Sequence, residues 1–231
     1  GGKPVIVANT HPSFDHSYGN CQFEKAYCHE YGVPKMRLQL NPHIWDYLFD
    51  ESGRNIWVEF DRKDLVPYKD YEIIGCPDHF TFHLGKDHEV ELLWLPGHQP
   101  GHCGYLDKKN RILFCGDALI SMRVAIGKPN PSLPYSEYST VEACYRQMAE
   151  LEKRLGEFDA LFPGHFIVDL DTTGVTGMKE ACLKVLENPK SYDYIGEMGG
   201  NRTFYAKYVK GLGILTYNYN NIYQDGRRQP L

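Results

Sequence analysis

Several things are missing from these 231 residues, and each absence narrows the field. No run of Lys and Arg occurs and the formal net charge is −5, which disfavours nucleic acid as a partner. No apolar stretch approaches the ~20 residues of a bilayer span, so no membrane segment is expected. The opening Gly-Gly-Lys-Pro-Val-Ile-Val-Ala-Asn has too short an apolar stretch for a signal peptide. The seven cysteines (Cys21, Cys28, Cys76, Cys103, Cys115, Cys144 and Cys182) are odd in number and include no C-x-x-C pair. They are expected to be reduced, mostly buried thiols of a cytoplasmic protein. No internal repeat, low-complexity tract or linker divides the chain.

What is present is ordinary for a globular protein: 42% hydrophobic and 24% charged residues, in a chain long enough to bury a real core. Val5 to Ala8 reads as a buried strand. Glu24 to Cys28, Tyr71 to Gly75 and Phe80 to Leu84 read as short strands. "NPHIWDYLFDES" reads as a short helix, with Asn41 as cap and Pro42 at the first helical position. "HEVELLWLPGH" alternates as a strand entering a loop. Asp107-Lys108-Lys109-Asn110 reads as the turn of a hairpin between Cys103–Leu106 and Arg111–Cys115. "TVEACYRQMAELEKRL" predicts a helix capped by Thr140, with Val141, Cys144, Met148, Leu151 and Leu155 on one face. "DALFPGH" is another strand running into a loop, and "TTGVTGMKEACLKVLENP" a helix stopped by Pro189. "TFYAKYVK" and "GILTYNYNNIY" form a terminal hairpin around Gly211-Leu212-Gly213. Strands, helix, strand, helix, strands describe a mixed α/β layered domain.

The notable polar residues each follow a strand. His11, Asp15 and His16 follow the first, in "THPSFDH". His98 lies in "LPGHQPGH", Asp117 in "FCGDAL" and His165 in "FPGH". Any one of them alone is more often a turn or hydrogen-bonding residue. Together they gather imidazole and carboxylate, ligands suited to Zn²⁺ or to iron or manganese, in Gly- or Pro-containing loops. From His11 the steps to His16, His98, Asp117 and His165 are 5, 82, 19 and 48 residues.

In order and spacing these four motifs resemble the metallo-β-lactamase superfamily, from about Val5 to His165. The resemblance implies an αβ/βα sandwich of two mixed sheets flanked by helices, and a hydrolase. It implies that His11 and His98 serve a first metal, that Asp15, His16 and His165 serve a second, and that Asp117 bridges them. His102 sits where relatives often carry Ser, and a hydrogen-bonding role is expected of it. The other histidines are read as surface or structural.

Ser13 departs from the pattern, because relatives carry a second histidine there. A hydroxyl is a poor and short substitute for imidazole, so the first site is thinned and the second is expected to fill first. A single bound metal still lowers the pKa of its water to ~7, which preserves hydrolysis of an ester, thioester, lactone or amide. Asp15 is expected to orient the attacking oxygen as well as to bind metal. The cofactor expected is one or two zinc ions, and the partner a small-molecule substrate.

Relatives also carry several strands before the first His motif. The chain is therefore expected to be N-terminally incomplete, with Pro4 to Ala8 an open edge that invites self-association. Residues 1–190 are read as the hydrolase domain. Residues 191–231, rich in Tyr, are read as an extension packed on it, with sheet surface and dimer packing favoured over a substrate lid. The loop Ser121 to Thr140 is expected to overhang the pocket, with Arg123, Tyr135 and Tyr138 as substrate contacts. A nuclease would need a basic face. Chemistry at two irons would need a carboxylate near position 13. A metal-poor binding or structural module is the alternative that Ser13 favours.

Overall fold

The computed structural model describes residues 2–43, 45–55, 61–198 and 202–226. In chain order the elements begin with α1 (Phe14–Ser17), β1 (Lys25–His29), α2 (Val33–Arg37), β2 (Glu72–Cys76), β3 (Thr81–His83) and β4 (Glu89–Trp94). They continue with β5 (Cys103–Asp107), β6 (Ile112–Gly116), β7 (Met122–Ala125), α3 (Val141–Glu152), β8 (Ala160–Pro163) and β9 (Leu170–Asp171). The chain closes with α4 (Thr173–Glu187), β10 (Tyr194–Met198), β11 (Arg202–Val209) and β12 (Gly213–Tyr217).

The strands form a six-stranded sheet in the order β3-β4-β5-β6-β8-β9, a four-stranded sheet β10-β11-β12-β7 and a parallel pair β1-β2. Both larger sheets are mixed: β6 runs parallel to β8 and β7 parallel to β12, the other pairings being antiparallel. Leu93, Leu106 and Leu113 of one sheet and Leu215 and Tyr217 of the other share a core with Met148 and Leu151 of α3 and Met178 and Cys182 of α4. Mixed sheets with flanking helices make this an α/β sandwich. All seven cysteines are free and buried.

Helix α3 forms for the reasons its sequence states. Thr140 accepts a hydrogen bond at Oγ1 from Ala143 N, and Val141, Cys144, Met148 and Leu151 are buried along one stripe. Burying a side chain of this size contributes about 1.5–3 kcal/mol.

Three local expectations are corrected. Pro4 to Ala8 is no strand. Ala8 makes an isolated bridge to Tyr27, held by Tyr27 N to Val7 O and Asn9 N to Tyr27 O, while Val5 is 71% and Ile6 43% exposed. A four-residue apolar run reads alike in a strand and in an extended segment, and only its ladder partners decide. Residues 41–52 form no helix. Asn41 Oδ1 takes the N–H of His43, Asp46–Leu48 is one 3₁₀ turn, and Asp50 Oδ1 takes the N–H groups of Ser52 and Arg54. Short polar side chains have here captured the backbone donors a helix needs. Residue 44 lies outside the described residues. Finally, the expected loop after Ser121 begins with β7, which finds its partner β12 some ninety residues later. The C-terminal segment likewise contributes a third strand, β10, to the hairpin expected there; residues 199–201 and 227–231 of that segment lie outside the described residues.

Candidate metal centre

Strand direction explains why distant residues meet. Strands β4, β6 and β8 all point the same way, because β4 and β6 are each antiparallel to β5 and β8 is parallel to β6. Their C-terminal ends share one sheet edge, and His98, Asp117 and His165 follow those ends. The first histidine motif is fastened to the same edge: Cys103 N donates to Thr10 O at 2.8 Å and Tyr105 Oη to Asn9 O at 2.8 Å. Asn9 Nδ2 in turn donates to His16 O at 2.7 Å, fixing α1.

Asp117 is the centre of the cluster. Its Oδ1 stands 3.4 Å from His16 Nε2 and 3.6 Å from His165 Nε2; its Oδ2 stands 3.7 Å from His98 Nε2 and 3.9 Å from His11 Nε2. Asp15 Oδ2 lies 3.0 Å from His165 Nε2 and 3.5 Å from His16 Nε2. Two sets bring their ligand atoms within 4.8 Å of one another: His11, His16 and Asp117, and Asp15, His16 and His165. All six expected ligands are thus gathered. His16 belongs to both tight sets, whereas His98 belongs to neither and joins through Asp117 and, edge-on, the His11 ring 4.9 Å away. Two glycines permit this closeness. A Cβ at Gly164 would lie 2.6 Å from His16 Cε1 and 2.9 Å from Asp117 Oδ1; Gly116, at φ +51°, turns the chain into Asp117 against His102 and Thr10.

The rings are oriented from behind. His98 Nδ1 pairs with the Ala125 carbonyl at 2.9 Å, so Nδ1 carries the proton and Nε2 offers its lone pair to the centre. His11 Nδ1 pairs with Thr10 Oγ1 at 3.1 Å. His102 accepts Asp117 N at Nε2, 2.9 Å away, the hydrogen-bonding role expected of it. Burial, then the neighbouring imidazoles, hold the pKa of His11 well below its ordinary value, and burial lowers that of His98, which keeps both rings neutral as ligands must be. For His16 burial opposes protonation, but the Asp15 hydrogen bond and the Asp117 charge outweigh it and raise the pKa. Asp15 is lowered, first by its hydrogen bond with His16.

The donor set fits a divalent cation. The buried His11 Nε2 and Asp117 Oδ1 make no hydrogen bond. Left bare, such atoms cost about 1–3 kcal/mol each; a cation among these imidazoles and carboxylates satisfies both.

Ser13 is not among the clustered atoms. Its hydroxyl accepts a hydrogen bond from Gln99 Nε2, and both residues line a cavity of about 670 Å³ that opens beside His98. Tyr31 lines the same cavity and stacks on Tyr135, ring centroids 4.3 Å apart, and on Tyr138 at 5.4 Å. These two tyrosines therefore back the wall. Arg123 is not brought to the cavity: its Nη1 lies 3.0 Å from Met198 Sδ on the four-stranded sheet. Gln99 and Lys35, both lining the cavity, escaped the sequence reading. Gln99 had one usable signal, its place directly after His98; Lys35 had none. Of the remaining histidines, His29 is buried and stacks on Trp94, and His88 pairs with Asp107 at 2.9 Å.

The family model of the metallo-beta-lactamase superfamily matches residues 1–192. The chain belongs to this superfamily. Among curated proteins it is 28% identical to the acyl-coenzyme A thioesterase MBLAC2 of Bos taurus and 27% identical to that of Homo sapiens, each over 174 residues. These alignments cover 71% of this chain and 57% of each relative, so the chain spans less than two thirds of their length. Among solved structures, a metallo-beta-lactamase family protein of Thermus thermophilus superposes with a TM-score of 0.50 at 19% identity, covering 82% of this chain and 64% of that one. Rubredoxin oxygen:oxidoreductase of Desulfovibrio gigas gives 0.50 at 16% identity, over 78% and 44%. At such identities these two likenesses speak for the fold alone. No helix among the described residues is long and apolar enough to cross a membrane.

Proposed function

We propose that this superfamily member is a zinc-dependent hydrolase of thioesters. The observation that carries the reading is the convergence of four imidazoles on the carboxylate of Asp117, with the buried His11 Nε2 and Asp117 Oδ1 left without hydrogen bonds. Its metal would be held by His11, His98 and Asp117 on one side and by Asp15, His16 and His165 on the other. Zinc suits this mix of nitrogen and oxygen donors, although iron or manganese would also accept it. When bound, the ion supplies a Lewis acid that polarises the carbonyl and lowers the pKa of water.

The chain's own groups do the rest. Asp15 Oδ2 accepts a hydrogen bond from the attacking water and orients it. His98 and Asp117, fixed by Ala125 O and His102, hold the ligand geometry without reorganisation. Water adds to the carbonyl carbon, the C–S bond breaks, and a carboxylic acid and a thiol result. The thiol has a pKa near 8.5, so sulfur leaves as thiolate near neutral pH without a placed general acid. An amine or alkoxide leaving group demands such an acid, and the clustered residues are all turned toward one another. The names of the bovine and human relatives point to the same bond.

Ser13 favours a second reading, a metal-poor binding module. Metal analysis of protein purified without added metal, followed by a hydrolysis screen over acyl thioesters, lactones and amides, separates the two. Zinc content with thioester turnover supports the first reading. A chain free of transition metal and inert on all three sinks it.

A further inference from the structure

The cavity beside the ligand cluster is lined by two lysines and by no carboxylate. Lys35, Lys128 and His98 line it, and no Asp or Glu does. In a chain of net charge −5 that is a local reversal. Lys35 is partly buried on α2 and forms no ion pair among the described residues; Asp15 is the carboxylate whose charge it feels. Burial of a cation without a direct counter-ion is costly, and it persists where a ligand supplies the charge. Gln99, only 7% exposed, adds a second observation: it lines the same cavity, and its buried Oε1 makes no hydrogen bond. The wall therefore offers a partly buried cation at Lys35, an exposed cation at Lys128 and an unpaired acceptor within one volume next to His98. A volume of about 670 Å³ is within the ordinary range for a ligand site.

We propose that this cavity is an anion subsite in which Lys35, assisted by Lys128, binds a phosphate or carboxylate on the part of the substrate that leaves. Gln99 Oε1 accepts a hydrogen bond from a donor on that same part. This rests on the thioester reading for its place in the reaction, but not for its binding chemistry. Lysine is a point charge that serves either anion. The assignment makes Lys35 a specificity-determining residue: it decides which thiol carrier is accepted, while the metal ligands decide what is done to it.

The test is a binding titration of the full chain with desulfo-coenzyme A, which bears phosphates and no sulfur, and with glutarate, a dicarboxylate. Unaltered protein, Lys35→Met and Lys35→Arg are compared, with circular dichroism to verify folding. Loss of one charge-assisted hydrogen bond predicts affinity about tenfold weaker in Lys35→Met, largely kept in Lys35→Arg, and falling with salt. Lys35-dependent binding of desulfo-coenzyme A identifies a phosphate site; the same dependence for glutarate alone identifies a carboxylate site. Equal affinity in unaltered protein and Lys35→Met, or no binding of either anion, overturns the subsite. In turnover, Lys35→Met should raise KM for an acyl-coenzyme A about tenfold more than for the uncharged N-acetylcysteamine thioester, with kcat changed little. A purely structural role would move both substrates alike and overturns it too. If neither thioester is hydrolysed, the hydrolase reading fails while the titration still decides the subsite.

Discussion

Gln99 Nε2 donates a hydrogen bond to Ser13 Oγ, joining two loops 86 residues apart in sequence. The superfamily pattern puts an imidazole at position 13. Here Gln99, the neighbour of His98, reaches across and takes the serine hydroxyl, and both residues line the cavity.

Metal stoichiometry should follow from that substitution. Purified protein is expected to hold nearer one zinc than two per chain. Ser13→His, combined with Gln99→Ala to free the space, should raise occupancy toward two. Disturbing even an outer partner of a metal ligand costs ~10–100-fold in affinity, so gaining an inner one should be worth at least that. Inductively coupled plasma mass spectrometry reads the ratio. Two tightly held ions in the unaltered chain would contradict it.

Asp117 stands within 4 Å of all four of His11, His16, His98 and His165. Asp117→Asn keeps the shape and removes the charge. Metal affinity should fall at least ~10-fold and thioester turnover should fall with it. Competition with a chelator measures the first and a thiol-release assay the second. Normal values for both would remove Asp117 from the centre.

Gly164 separates geometry from ligand chemistry. The methyl of Gly164→Ala would press on His16 Cε1 and Asp117 Oδ1. A displacement of ~1 Å at such a site costs ~10²-fold in rate. Turnover should fall on that scale while the urea midpoint changes little, since the methyl meets two side chains of the cluster and not the apolar core. An unaltered rate would show that the cluster has slack.

Acid stability should depend on an ion network that shares no residue with the site. Burial alone would raise the pKa of Glu91, but hydrogen bonds from Arg154, His79 and Lys108 hold it at about 2. Arg154 Nη2 lies 2.7 Å from Glu91 Oε2 and 2.8 Å from Glu157 Oε2. The folded pKa lies below the ordinary 4.5, so the folded state binds fewer protons. The stabilisation is complete above pH 4.5 and is lost as pH falls through about 2. Urea melts from about pH 6 to about pH 3 should therefore show a steeper loss in the unaltered protein than in Glu91→Gln. Parallel curves would remove Glu91 from the linkage.

The clustering of His11, Asp15, His16, His98, Asp117 and His165 was legible because each is punctuated locally. Four short motifs, each an apolar run leading into a Gly- or Pro-containing loop with a His or Asp, can be read without knowing where the strands go. Helices α3 and α4 were legible for the same kind of reason, a cap or a proline at the end and an apolar stripe between. Arg123 was read from its proximity in sequence to Asp117, and the structure sets it away from the cavity. Its strand, β7, turns away to pair with β12, and that pairing has no local signature. Residues 41–52 misled because Asn41 caps equally well a helix or a turn, and here Asn41 and Asp50 take backbone N–H groups of His43, Ser52 and Arg54.

The sequence by itself determined the kinds of candidate ligand, their order and the departure at Ser13, since residue identity and spacing are local properties. Only the tertiary structure decided what partners Ser13. Gln99 reaches Ser13, and Lys35 reaches the same cavity, because β4, β6 and β8 end on one edge and α2 stands beside it. Contacts between elements far apart in the chain depend on strand direction and packing, which no short window of sequence encodes.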